Sequence, residues 1–481
     1  MLANYLVVGA YAALIIIIGL KGMRKTNSYH DYLLGGGEVG PWMTAFSYGT
    51  AYFSAVLFIG FAGKLGWGFG LSALWIALGN TLIGVLGVWL LLGNRIKTMS
   101  DSLNVKTMPE YLEVRFSSPF LKGFTALAIF VFFVPYTAAV FMGLSYLFES
   151  TFQLPYLWIL LSMGLFTGTY LILGGYKSMA MIDVIFGIIM VIGVSVLLWF
   201  NIQKGGGIPD IVSSLRAIEP KLVAPVGPPG IVPLLSLIFL ISVAPFAMPQ
   251  LLQKFYAVRD KKAIKIGMIA SSLFALLVTG VAYFTGALTR IFLSPASSPA
   301  AFGEGGAPLF DRLIPELLTT IIPPALTVII LLLILSASMS TLASLVLIAS
   351  SAVTKDFYHG FINRNASDSM LTKLGRLSSG GFILLSMLLA WLKPAVIVTI
   401  LSISWGAIAS VFLGPFIWGL FCKELKKPGA VTASIAGLGT CMYLFFSWGP
   451  SKVPQAASVG MLVSLAVPAF FILIQRMTSH E

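Results

Sequence analysis

Of the chain's 481 residues, 58% are hydrophobic and only 10% charged, well short of the roughly 25% charged content of a soluble domain. A mean hydropathy of +0.95 and recurring apolar runs of about 20 residues exclude the soluble classes and indicate an all-α polytopic membrane protein. The net charge of +13 points to nucleic acid only if the basic residues cluster on a surface, and their placement along the chain says otherwise.

Thirteen apolar spans are predicted: 4–20, 42–63, 68–93, 120–148, 155–175, 179–200, 231–250, 266–289, 319–353, 377–392, 394–422, 429–448 and 456–475. The first lacks a basic n-region and a small-residue cleavage site, so it reads as a retained helix rather than a signal peptide. With the N-terminus outside, most Lys and Arg fall on the cytoplasmic side. They include Lys21, Arg24 and Lys25, then Lys254, Arg259, Lys261, Lys262 and Lys265, and later Lys423, Lys426 and Lys427. This is the positive-inside distribution. It predicts an external N-terminus and a cytoplasmic C-terminus in the cell membrane, with the bilayer, not nucleic acid, as the charge's partner. Segment 201–230 is a Gly/Pro-rich external loop, and no loop is large enough for a soluble domain. Cys422 and Cys441 lie in or beside spans and predict no disulfide framework.

Unwound backbone is tolerated at membrane depth only where it lines a cavity, so interrupted spans point to a site. Three stand out: "SYGTAYFSA" (Ser47 to Ala55), "SVAPFAMPQ" with Pro245 and Pro249, and "SASMSTLASLVLIASS" (Ser336 to Ser351). Small residues also serve close helix packing, which is the competing explanation for each. Spans two to six and seven to eleven form two groups of five, each opening on an interrupted helix. Units with an odd number of spans lie in opposite orientations, as an inverted repeat requires. The expected organisation is therefore 1–41 for the first helix and loop, 42–200 for the first repeat, 201–230 for the external loop, 231–422 for the second repeat and 423–481 for two final helices.

Ionisable residues at membrane depth are costly and usually functional. Asp183 is the one acid read as intramembrane; the others fall in loops or at span edges, and no Lys or Arg is expected inside the membrane to pair a carboxylate. His30, His359 and His480 fall outside the spans. No metal-binding motif or nucleotide loop is present, so neither an enzyme nor an ATP-driven pump is expected, and no cofactor.

Wound as a helix, "SASMSTLASLVLIASS" sets Ala337, Ser340, Thr341 and Ser344 on one face. Neutral hydroxyls, with carbonyls freed by an unwound second span near Thr50 and Phe53, suit a monovalent cation that has to be released again. Back-bonding of Ser and Thr to the i−4 carbonyl is the competing reading.

The stretch "SASMSTLASLVLIASSAVTKDFY" resembles the ninth-helix signature of the sodium:solute symporters. Further resemblance lies in "YHDYLLGGGEVGPWMTAFS" (29–47), "TMPEYLEVRF" (107–116), "LFESTF" (147–152), "GGYKSMAMIDV" (174–184) and "GPFIWGLFCKELKKPGAVTASIAG" (414–437). The resemblance implies a LeuT-like five-plus-five fold and Na+-coupled symport of a small organic solute by alternating access. It implies a sodium site from the carbonyls of Thr50, Phe53 and Ala337 with the hydroxyls of Ser340 and Thr341. Asp183 and Ser344 match a coupling or second-cation position, but Ala343 stands where a Ser is frequent and Phe186 where a Gln is usual, so one Na+ is expected. "AYFSAVLFIGFAG" (51–63) is more similar to pantothenate and monocarboxylate permeases, whereas "LFESTF" is more similar to proline permeases. Tyr52, Ser54, Tyr136, Phe246 and Gln250 are the expected solute contacts. The partners implied are the solute, Na+ and lipid, with no obligate protein partner. Proton coupling through Asp183, a channel and a non-transporting sensor are the alternatives, and the short tail "QRMTSHE" after the last span argues against the sensor.

Overall fold

The computed structural model describes residues 2–23, 29–34 and 40–478. Arg24, Lys25, residues 35–39 and His480 lie outside these, as do the side chains of Lys21 and His30. The described residues are helical almost throughout, with one isolated antiparallel bridge between Phe302 and Pro308. Among them nine helices are long and apolar enough to cross a bilayer, or ten when a bent pair is taken as one span. Two shorter apolar helices, Leu6–Leu20 and Tyr156–Thr169, accompany them. The predicted second and third spans run together as the stretch Val56–Leu103. The chain turns within it at Gly70, whose φ of 58° is open to glycine and strained for other residues.

Helix α1 (Leu2–Met23) packs along α6 (Tyr156–Lys204). Helix α2 (Pro41–Tyr52) starts on a proline, whose missing N–H costs nothing in a first turn, and stops at Phe53, which is extended at φ −110° and ψ 136°. The chain rewinds through Val56–Phe61 into α3 (Ala62–Phe69). Thr107 caps α4 (Met108–Phe116) and Ser118 caps α5 (Pro119–Phe152), each hydroxyl accepting an otherwise orphaned backbone N–H. The expected break near residue 177 is absent, and α6 stays helical through it.

Helices α7 (Ile231–Val243) and α8 (Pro249–Ala257) are the halves of the second interrupted span, bent by 40°. The bend follows from Pro245 and Pro249, which remove two backbone donors within five residues. Next come α9 (Lys261–Phe292) and α10 (Phe310–Ile321), a short helix outside the spanning set. After them come α11 (Thr327–Ser351), α12 (Asp368–Leu392), α13 (Ile397–Phe421), α14 (Lys427–Trp448) and α15 (Val453–Thr478). Helix α11 is the centre of the bundle. Every residue from Leu333 to Ser351 is buried, against α2, α5, α6 and α12, so its hydroxyls face protein and not lipid.

Candidate ion and solute site

The two interrupted helices and α11 meet in the middle of the bundle, and the hydroxyls of α11 satisfy the groups that the first break sets free. Ser338 donates to the Ile334 carbonyl at 2.7 Å and accepts from the Ala55 amide at 2.8 Å. Thr341 Oγ1 stands 3.1 Å from the Ala51 carbonyl, 3.2 Å from that of Phe53 and 3.1 Å from that of Ala337. A hydroxyl carries a single proton, so it satisfies only one of these carbonyls at a time. Three carbonyl oxygens and a hydroxyl oxygen thus converge where one donor is available. Beside them Ser340 Oγ lies 2.8 Å from Thr50 Oγ1, which itself donates to the Phe46 carbonyl at 2.7 Å. Back-bonding and inter-helix contact therefore coexist at Thr341. Ser338, outside the face of Ala337, Ser340, Thr341 and Ser344, supports the break through the Ala55 amide.

Asp183 is fully buried on α6. Its Oδ2 accepts from Ser47 at 2.6 Å, and its Oδ1 has no hydrogen-bond partner. The expectation that no basic residue lies inside is overturned by Lys254. That residue sits on α8, fully buried, with Nζ 3.1 Å from Ser344 Oγ and 5.0 Å above the Tyr176 ring. The basic cluster after the seventh span concealed it. The helix runs past Pro249 to Ala257, so Lys254 is carried inward while Arg259 and Lys261 are not.

A cavity of about 510 Å³ opens next to the break, lined by Tyr52, Phe53, Ser54, Asn80, Tyr136, Tyr283, Ser402 and Trp405 among others. Ser54 also caps the rewound half, its Oγ accepting from the Val56 amide at 3.2 Å. Pro245 leaves the Ile241 carbonyl without its helical donor. That carbonyl instead accepts from Tyr52 Oη at 3.1 Å and Asn80 Nδ2 at 3.2 Å, while Asn80 Nδ2 lies 2.6 Å from Tyr52 Oη. One proline thus recruits a tyrosine and an asparagine into the cavity wall. Of the expected solute contacts, Tyr52, Ser54 and Tyr136 line the cavity, Phe246 stands against Gly87, and Gln250 is buried in α8 beside Tyr136. Of the residues missed, Tyr283, Ser402 and Trp405 sit in continuous apolar helices, and Asn80 begins a π-helical segment inside an apolar span.

A second space of about 850 Å³ shares Ser402 with the cavity and opens at the end of the bundle that carries Pro229 and Pro450. The opposite end is crossed by polar contacts around a smaller space lined by Thr107, Gln253 and Asp356. There Thr107 donates to the buried Asp356 at 2.6 Å, Gln253 donates to the Leu33 carbonyl at 2.9 Å, and Lys122 pairs with Glu113 at 2.7 Å. Asp356 thus joins Asp183 as a buried acid, because α11 continues in wider turns through Ile362 and carries it beneath α4.

Asp311, on α10, is a third buried acid, its Oδ2 accepting from the Ile397 amide at the start of α13 at 3.1 Å. Burial pushes its carboxyl up from 3.8 to about 6, against the pull of the Ile397 amide and Lys64. Between those values the folded chain binds more protons than the unfolded one, so stability falls as pH rises through this window and levels off above it. Asp311→Asn keeps an acceptor for Ile397 and is expected to stabilise the protein at pH 7.5 by up to about 3 kcal/mol. Most of that advantage is expected to vanish by pH 4.5, as measured by thermal unfolding at both pH values; an equal effect at both would overturn the assignment.

The model of the family described as "Sodium:solute symporter family" matches residues 32–437. The chain is 30% identical to a high-affinity proline transporter of Bacillus subtilis, over 95% of each chain. It is 28% identical to the sodium/pantothenate symporter of Escherichia coli, over 89% of this chain and 87% of the relative. Among solved structures, a substrate-bound, outward-open Na+-coupled sialic acid symporter superposes with a TM-score of 0.82 at 19% identity. That match covers 98% of this chain and 97% of the other, and it establishes the shared fold. With the interrupted helices crossing at one polar centre and the family matched over most of its length, the chain belongs to the sodium:solute symporter family: it is a multi-pass Na+-coupled transporter and not an enzyme.

Proposed function

We propose that Na+ binds between the break of α2 and the middle of α11, and that the adjoining cavity carries a small carboxylate-bearing solute into the cell. The observation that carries the reading is Thr341 Oγ1 within 3.2 Å of three carbonyls from two elements, an oxygen cluster with one proton to share. The ligands are the carbonyls of Thr50, Phe53 and Ala337 and the hydroxyls of Ser340 and Thr341, with the Ala51 carbonyl at their side. Residues 42–200 and 231–422 are the two inverted repeats, with the N-terminus outside and the C-terminus cytoplasmic.

Relatives named for proline and pantothenate transport support a carboxylate. The cavity lining holds no charged side chain, so the carboxylate is met by hydroxyls, the Trp405 indole and the bound cation. Na+ ties α2 to α11 and favours the state open towards the 850 Å³ space; release on the other side requires the contact between Thr107 and Asp356 to part. One inward charge gains about 2.3 kcal/mol per 100 mV, enough for about fifty-fold accumulation.

Purified protein warmed with single amino acids and small monocarboxylates, in NaCl and in choline chloride, tests the reading. One compound is expected to raise the melting midpoint in NaCl alone, by the equivalent of about 2.7 kcal/mol at a hundred times its Kd. Equal stabilisation in both salts would remove sodium from the mechanism. Uptake in Na+-free buffer that follows a pH gradient would then favour proton coupling through the buried Asp183.

A further inference from the structure

The buried Lys254 is used neither by the sodium site nor by the cavity. Its ammonium stands 3.1 Å from Ser344 Oγ and 5.0 Å from the centre of the Tyr176 ring, with no solvent exposure. Asp183 is close enough for the two charges to act on each other. The carboxylate keeps one oxygen, Oδ1, without a hydrogen-bond partner, while its other oxygen holds Ser47. A charge this deep persists only where an opposite charge or a set of oriented dipoles offsets its desolvation, and an aromatic face adds to that for an ammonium.

We propose that the Lys254 ammonium is a protein-borne counter-cation that stands in for a second coupling ion between Asp183 and Ser344, so that one Na+ binds per protein. The inference rests on the sodium reading of the α2–α11 site and adds the count. Ser344 accepts from Lys254, so the lone pair aimed at Nζ is not free for a metal ion. Ala343, one position before it, supplies no hydroxyl to replace it. The local charges also favour a single ion: Lys254, Asp183 and one Na+ sum to a single positive charge, whereas a second Na+ would place two in a region closed to water. Truncating Lys254 to an apolar side chain removes the internal cation and leaves Asp183 and Ser344 open to a metal ion.

The test counts ²²Na+ bound to purified full-length protein by equilibrium dialysis at pH 8, with no solute needed. One ion per chain is expected for the parent protein and for Lys254→Arg, and two for Lys254→Met. The sodium dependence of the melting midpoint is expected to steepen about two-fold in Lys254→Met. Two ions in the parent protein would overturn the proposal, whatever the variants do. So would a single ion in a monodisperse Lys254→Met. No bound ion in the parent protein would instead overturn the sodium site itself, and Lys254's role with it.

Discussion

Thr341→Ala is expected to raise the Na+ concentration for half-maximal solute uptake by about ten- to a hundred-fold while the protein still folds. The hydroxyl is the group on which the Ala51, Phe53 and Ala337 carbonyls converge, and an interaction with a charged group is worth about 1.5–3 kcal/mol. Ser340→Ala, which removes the hydroxyl that joins α11 to Thr50, is expected to act in the same direction. The informative control is Ser338→Ala. It removes the acceptor of the Ala55 amide and touches none of those three carbonyls. It is therefore expected to lower the melting midpoint, by an amount equivalent to about 1–3 kcal/mol, with a smaller change in sodium dependence. Sodium titrations of uptake, alongside melting curves for all three, separate the two roles. Thr341→Ala and Ser340→Ala with unchanged sodium dependence would dismiss the site.

Gly286→Val is expected to abolish folded protein. Helices α3 and α9 cross with almost no space between their backbones. A Cβ on Gly286 would lie 2.0 Å from the Ala62 carbonyl oxygen, and one on Gly66 would lie 2.1 Å from the Gly286 carbonyl carbon. Both clashes are with backbone, which cannot swing aside as a side chain can. The cost falls in the uncommon class above about 4 kcal/mol. Small residues at such crossings are how membrane helices reach van der Waals contact without a hydrophobic driving force. Gly280 lies on the same helix with nothing within 4 Å of its Cβ position, so Gly280→Ala is expected to be neutral. Size-exclusion profiles of detergent extracts would show the difference, and a monodisperse Gly286→Val would contradict this packing. The crossing also bears on the site, because α3 is the half-helix that rewinds after the break.

Much of this was readable along the chain. The low charge and long apolar runs dictate helices in a bilayer, because no other open structure satisfies its backbone there. Pro245, Pro249 and the polar run from Ser47 to Ala55 mark the two interruptions, because proline lacks a donor and small polar residues accept unwound backbone. The hydroxyls of α11 were legible as a face by their helical spacing, which is local. Lys254 was not legible. In sequence it is one of several basic residues after an apolar span, and only the continuation of α8 to Ala257 carries it to Ser344 and Asp183. Asp356 and Asp311 were likewise hidden, since whether an acid beside a span meets water depends on what packs over it. Tyr283 and Trp405 enter the cavity wall from continuous apolar helices. Local chemistry determined where the chain must unwind. Which side chains converge on the unwound backbone was decided by helix crossings between residues hundreds of positions apart, as between Ala55 and Ser338.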